Sequence, residues 1–495
     1  MRRAAIAGIV VAVAAAGTAA TAAAVLLHSR SEQTALASGS HPLTTGFLLD
    51  PGVTSAQQTA IARRIASVDS RIERIHAIWG DIAPKKKPAS FNATDPGDPS
   101  YKWSLLDSEI SRARAAGLEP LVTVTGAPRW VQRQGFNTDP YGAADPDPKA
   151  YADFGTAIAR RYSGHFQGLP RVRLWEAWNE PNVSFYFTPQ TAGSHGERVD
   201  VAAGLYRTLL NDFADAVHAV DASNVVAGGA LGPFTIRGGG TVETTGGVRF
   251  LRELLCMSVT GPPKPVCNDK THLDAVSFHP YTSGGPLHKA YKQGDLSLGN
   301  MPAARAVLLA AIRAGHVVAS KPVQMWVTEF SWDTKPPDPH AVSMKLHERW
   351  TAEALYRMWQ NGVSLVVWYQ VKDWAYPGTD YQSGLWFVDG RPKPSLLAFR
   401  FPFVAYRTAG GFQYWGRVTT QQQASVRLEQ DRGGSWRVIG TAQANQYGIF
   451  RGSIRRHRRG AVRAVSGGLK SVPFALTPPR DENIVVTPFG VGSRK

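Results

Sequence analysis

Cysteine is scarce in this chain, with two residues among 495. That excludes a disulfide-scaffold protein and a multi-cysteine zinc site. Charge is sparse too, at 19%, and the 38 acidic residues are outnumbered by 55 basic ones. Glycine (48) and proline (33) follow no period, which removes the collagen-like, coiled-coil and low-complexity classes. No zinc-finger, RNP-type or phosphate-loop motif accompanies the positive charge, so no nucleic-acid partner is expected.

What remains is a chain that is 43% hydrophobic, too apolar for disorder and too long for one small domain. One large domain plus an appendage is the expectation. Fourteen tryptophans suit stacking on sugars or bases, or ordinary core packing. The net charge of +17 is uneven: residues 404–495 hold 15 basic and four acidic residues, a surplus of +11, and residues 1–40 add +2. A basic tail therefore rides on a nearly balanced body, and it fits an anionic surface such as a membrane or an acidic polymer.

Arg2 and Arg3 precede an uncharged run from Ala4 to Leu27, half of it alanine. A positive start followed by an apolar stretch is the pattern of export, as a cleaved signal or an N-terminal membrane anchor. Either places the rest of the chain outside the cytoplasm. There, Cys256 and Cys267, 11 positions apart around Gly261-Pro262-Pro263, are predicted to form a local disulfide.

Between residues 41 and 403, apolar strand-like runs alternate with helix-length stretches of 3.6-residue spacing. The strand candidates are Gly46–Leu49, Ile72–Trp79, Leu118–Thr125, Val172–Trp178, Val225–Ala230, Leu273–Phe278, Val323–Thr328 and Ser364–Tyr369. Eight alternations predict an α/β fold, a (β/α)8 TIM barrel with long loops after its strands. Residues 404–495 switch to short alternating runs and Gly-rich turns, which predict a small, basic, all-β sandwich domain.

In such a barrel, polar residues at the C-terminal ends of strands face the mouth. The fourth candidate strand ends Trp175-Glu176-Ala177-Trp178-Asn179-Glu180-Pro181-Asn182. Strict alternation puts Leu174, Glu176, Trp178 and Glu180 on one face. The seventh ends Thr328-Glu329-Phe330. Two carboxylates converging in a cleft, one protonated and one ionised, are what glycosidic-bond cleavage requires.

At these residues the sequence resembles glycoside hydrolase clan A, the retaining (β/α)8 enzymes. Ala127-Pro128-Arg129-Trp130 and the run around Glu180 are similar to the neighbourhood of families 5 and 39 within it. The resemblance implies that Glu180 is the acid/base, Glu329 the nucleophile and Asn179 the partner of the sugar 2-hydroxyl. It implies Tyr281 beside the nucleophile and His279 as a substrate contact, with a structural His279 as the alternative. Arg74 matches the clan's arginine in spacing and, if buried, needs Glu329 or Glu176 as partner, with a purely structural Arg74–Glu176 pair as the alternative. Trp368 is the expected floor under the sugar ring, with Trp130 and Trp332 as further stacking candidates. The implied substrate is an extracellular oligo- or polysaccharide, with no metal and no organic cofactor. The competing reading is a catalytically inactive, carbohydrate-binding barrel at the cell surface. The basic tail, through Arg455, Arg456, Arg458 and Arg459, is expected to meet an anionic cell-surface polymer.

Overall fold

The computed structural model describes residues 41–49, 55–133, 141–193, 199–237, 243–378, 381–455 and 460–483. The export segment lies outside them, as do Arg456, Arg458 and Arg459. Eight strands, β1 (Thr44–Leu48), β2 (Ile72–Ile78), β3 (Glu119–Thr125), β4 (Leu174–Ala177), β5 (Val225–Leu231), β6 (Ala275–Phe278), β7 (Gln324–Val327) and β8 (Val363–Trp368), close into a parallel barrel. All eight overlap the runs picked from the sequence. The helices that return the chain are α1 (Ser55–Ser67), α2 (Ser104–Ala115), α3 (Pro148–Arg161), α4 (Ala202–Val220), α5 (Gly247–Leu254), α6 (Met301–Arg313), α7 (Met344–Gln360) and α8 (Ser395–Arg400).

Local chemistry explains these helices. In α3, the Asp147 carboxylate accepts the Ala150 N–H, Pro148 opens the first turn, and Arg160 and Arg161 occupy the last. Those are the cap, starter and dipole partners a helix wants. Tyr151, Phe154, Ala157 and Ile158 recur at helical spacing and are buried.

The strands bury both faces. Outside, Ile75, Val122, Trp175, Val226, Val276 and Val366 pack under the helices. Inside, Ile72, Leu121, Leu174, Ala275, Trp326 and Leu365 form an apolar plug. Two residues further on, the inward positions turn polar: Arg74 after Ile72, Thr123 after Leu121, Glu176 after Leu174, all buried. The change from apolar to polar along the same face sets the floor of a site at the C-terminal mouth.

Beyond the barrel lie two antiparallel sheets. One joins β9 (Phe403–Thr408), β10 (Gly411–Arg417) and β13 (Ile449–Arg455); the other joins β11 (Ala424–Asp431), β12 (Trp436–Ala444) and β14 (Ala461–Ser466) with two short strands. The sheets and the barrel fall in one compact unit. Trp415 of β10 packs on Tyr356 and Trp359 of α7, with ring centroids 5.4 and 5.5 Å away. Arg417, fully buried, donates to the Leu43 and Phe399 carbonyls. No helix among the described residues is long and apolar enough to cross a membrane. Cys256 and Cys267 are joined, with Cα atoms 5.3 Å apart.

Candidate active site

Arg74 is the hub of the mouth. Its guanidinium donates to Glu176 Oε2 at 2.9 Å, Glu329 Oε1 at 2.6 Å, Asn179 Oδ1 at 2.9 Å and Thr123 Oγ1 at 2.9 Å. The sequence offered Glu329 or Glu176 as its partner; both are. A buried cation facing two carboxylates is a fixed electrostatic post. Burial disfavours charge on Glu176, but Arg74, His279 and the hydroxyls of Thr123 and Thr328 together offset this and hold its carboxyl below the ordinary glutamate value. Glu329 behaves alike: burial pushes up, while His279 and Arg74 pull its carboxyl lower. Glu329 therefore stays ionised near neutrality. His76, buried beside Arg74, is pushed down to about 4 by burial first and by that cation second, so it remains neutral.

The second oxygen of Glu329 accepts the Tyr281 hydroxyl at 3.1 Å. Burial, then the Glu329 charge, drives the Tyr281 hydroxyl well above its usual range, so it acts as a donor throughout. Across the mouth, Glu180 Oε1 lies 2.9 Å from His279 Nδ1, and that same nitrogen lies 3.7 Å from Glu329 Oε2. His279 Nε2 is 3.2 Å from Thr328 Oγ1. One imidazole thus bridges the two glutamates. Their side chains are 15% and 11% exposed, which leaves an opening to solvent above buried charge.

The backbone aims Glu180 in a way alternation did not anticipate. β4 ends at Ala177, and both Trp178 (φ 72°) and Glu180 (φ 42°) take left-handed conformations. Such conformations cost about 1–3 kcal/mol each and persist where surrounding structure over-determines them. Trp178 consequently does not share the face of Glu176. It turns outward, packs edge-on against Tyr151 and Phe187, and donates its indole N–H to the Tyr186 carbonyl. The end of β5 is irregular in step: its register with β6 shifts between Val276 and Phe278, and Gly229 (φ 114°) abuts the Ser277 carbonyl where a Cβ would not fit. The Ala230 carbonyl accepts the Glu180 N–H. This bulge fixes the acidic residue from the neighbouring strand.

Trp368 is not the floor under a sugar ring that the sequence led us to expect. It is fully buried, packs on Phe330, His347 and Phe399, and donates its indole N–H to the Ser383 carbonyl. No face of it is open to a sugar. The aromatic at the mouth is the next residue, Tyr369, half-buried beside Tyr281 and Tyr381, with centroids 6.5 and 5.7 Å away. Leu365 and Val367 face the barrel interior, so Tyr369 continues that face and Trp368 the other. Trp332 is buried as well, against Trp350. Trp130 is half-buried at the rim under the Lys87 ammonium, its indole N–H held by the Pro84 carbonyl. Thr123, Thr328, Tyr186, Tyr369 and Tyr381 were not singled out from the sequence. Thr123 was reachable, since it follows the inward-facing Leu121 by two.

Fold and site together define a class: a (β/α)8 barrel carrying paired glutamates, a buried arginine and a tyrosine at the C-terminal ends of its strands. Among solved structures, the chain is similar to a family 39 glycoside hydrolase from Bacteroides cellulosilyticus, at 16% identity and a TM-score of 0.51, covering 84% of this chain and 80% of that one. It is also similar to a monomeric beta-xylosidase from Caulobacter crescentus, at 15% identity and a TM-score of 0.48, covering 84% and 95%. The first match establishes the shared fold. No family model matches the sequence, and neither does any curated protein.

Proposed function

We propose that this protein is a retaining glycoside hydrolase that cleaves β-glycosidic bonds of an oligo- or polysaccharide by double displacement. The observation that carries the reading is the single His279 nitrogen reaching Glu180 at 2.9 Å and Glu329 at 3.7 Å. Oxygens so placed lie no farther apart than those two distances end to end. That falls at the short edge of the ~6.5–9.5 Å spacing of inverting enzymes and accommodates the ~5–5.5 Å of retaining ones. The shared fold with a family 39 glycoside hydrolase is in keeping with this.

Glu329, ionised and held at both oxygens by Arg74 and Tyr281, attacks the anomeric carbon. Glu180 protonates the departing oxygen, then takes a proton from the water that releases the sugar. Asn179, whose carbonyl oxygen accepts from Arg74, binds the 2-hydroxyl in this reading. Tyr369 and Tyr381 offer faces for the ring. Room for further sugar units on the Glu180 side is supported by a cavity of about 890 Å³ among the loops after β4, β5 and β6, lined by Gln190, Thr235, Thr245, Arg249 and Lys292. Gln190 also donates to the carbonyl of Pro181, next to Glu180. The disulfide and the arginine-led apolar start support a site of action outside the cytoplasm, secreted or membrane-anchored. An anionic polymer met by the basic C-terminal sheets completes the proposal.

The test is stereochemical. Proton NMR of the first-formed anomer from an aryl β-glycoside should show retention. Glu329→Gln should abolish turnover, while Glu180→Gln should keep substantial rates only where the leaving group needs no proton. An inverted product would remove the two roles assigned here.

A further inference from the structure

The chain's last described residues return to the barrel mouth. The Glu482 carbonyl accepts the Gly285 N–H at 2.8 Å, in the loop between β6 and α6 that begins with His279 and Tyr281. The Glu482 carboxylate accepts the Trp350 indole N–H at 2.5 Å and pairs with Arg349, both on α7. Asp481 lies 3.1 Å from His288 at the far side of the same loop. The fit is tight: a Cβ at Gly284 would sit 2.6 Å from the Glu482 carbonyl oxygen, and one at Gly285 would press on Trp350. Two glycines in the loop thus admit the tail.

From Glu482 two routes lead to the nucleophile. Along the backbone, Gly284 and Gly285 lie three and four residues from Tyr281, across the fully buried Thr282. Through the rings, Trp350 packs on Trp332 (5.2 Å), Trp332 on Phe330 (4.7 Å) and Phe330 on Tyr281 (6.2 Å). The Trp332 indole N–H also closes on the Gly284 carbonyl at 3.1 Å. Phe330 directly follows Glu329, and Tyr281 donates to Glu329. Both routes end on the hydrogen bond that stabilises the nucleophile's charge.

We propose that Glu482 is a positioning residue: the C-terminal tail straps the β6–α6 loop and the Trp350–Trp332–Phe330 stack so that the Tyr281 hydroxyl stays on Glu329. This rests on the nucleophile role for Glu329, but its main consequence is a titration that needs no substrate. A hydrogen bond to the ionised form lowers a carboxyl's pKa, so losing it raises the pKa. In Tyr281→Phe, the carboxyl ¹³C midpoint of Glu329 should rise by about one pH unit, in line with a lost bond to a charged group. Glu482→Ala, and truncation after Pro479, should each give a rise of the same sign, roughly half a unit or more. Glu482→Gln keeps an acceptor for the Trp350 indole and should restore much of the wild-type value.

The deciding measurement is the double variant Tyr281→Phe/Glu482→Ala. If the tail acts through Tyr281, its midpoint equals that of Tyr281→Phe alone. Additive shifts, or a Glu482→Ala midpoint unchanged in protein with wild-type circular dichroism, overturn the proposal. On an aryl glycoside, the acid limb of kcat/KM should move with the NMR midpoint. If wild type hydrolyses no glycoside while the NMR shifts appear, the hydrolase reading fails and the strap stands.

Discussion

Replacing Arg74 by methionine tests the electrostatic post directly. The side chain keeps an unbranched apolar stem and loses the guanidinium with its charge, leaving Glu176 and Glu329 buried together. Removing one partner of a buried ion pair costs about 3–5 kcal/mol, because the remaining charge has no compensation. At pH 7 the variant should therefore unfold at a markedly lower urea midpoint, with an unchanged m-value if only native-state energy has changed. The pH dependence separates charge from packing. In the wild type both carboxyls sit below the ordinary glutamate value. Their contribution is full above ~4.3, the unfolded value, and is lost as pH falls through their folded pKa values. In the variant, burial drives both pKa values upward, so its folded state takes up protons and gains stability as pH falls. The two stability curves converge toward acid, and the gap at pH 4 should be well under half that at pH 7. Turnover of an aryl glycoside should drop about 100-fold or more, since Asn179 and Glu329 both lose their aim. Equal gaps at pH 7 and pH 4 would falsify the electrostatic account and leave only lost packing.

Two further outcomes are expected. Burial first, and Asp338 second, push Asp333 up to about 8 against the pull of Lys393, so the folded chain holds a proton there that the unfolded chain has released above ~3.9. The stability from that proton falls as pH rises from about 4 to 8. Asp333→Asn, which keeps an acceptor for the Gln382 N–H, should accordingly gain in Tm on the wild type between pH 6 and pH 8.5; a constant difference would count against it. Changing Arg455, Arg456, Arg458 and Arg459 to glutamine should weaken retention on an acidic polysaccharide, most at low salt, with kcat on a neutral aryl glycoside unaltered. Exposed charges are screened over about 8 Å at physiological salt, so salt-insensitive retention would rule out the tether.

The barrel was legible because each of its eight strands is an apolar run set between helical periods, and that alternation needs no tertiary context. The glutamates were legible for a related reason. Glu180 and Glu329 are polar residues placed where apolar strands stop, and parallel strands that stop together form one mouth. Rotation of side chains about the strands was another matter. A parallel strand buried on both faces carries no hydrophobic contrast between them. Hence Trp368 and Tyr369 looked alike in sequence, and only packing against Phe399 and the interior position of Leu365 and Val367 told them apart. Alternation likewise failed at Trp178, where a left-handed backbone held by α3 and the β5 bulge overrides the pleat. A buried Arg74 called for one acidic partner, Glu329 or Glu176, and it meets both because a closed barrel brings β2, β4 and β7 to one axis. The tail's return to the β6–α6 loop had no local signal at all. Glu482 meets partners more than 130 positions away, and contacts of that separation are set by the folded surface rather than by any period in the chain.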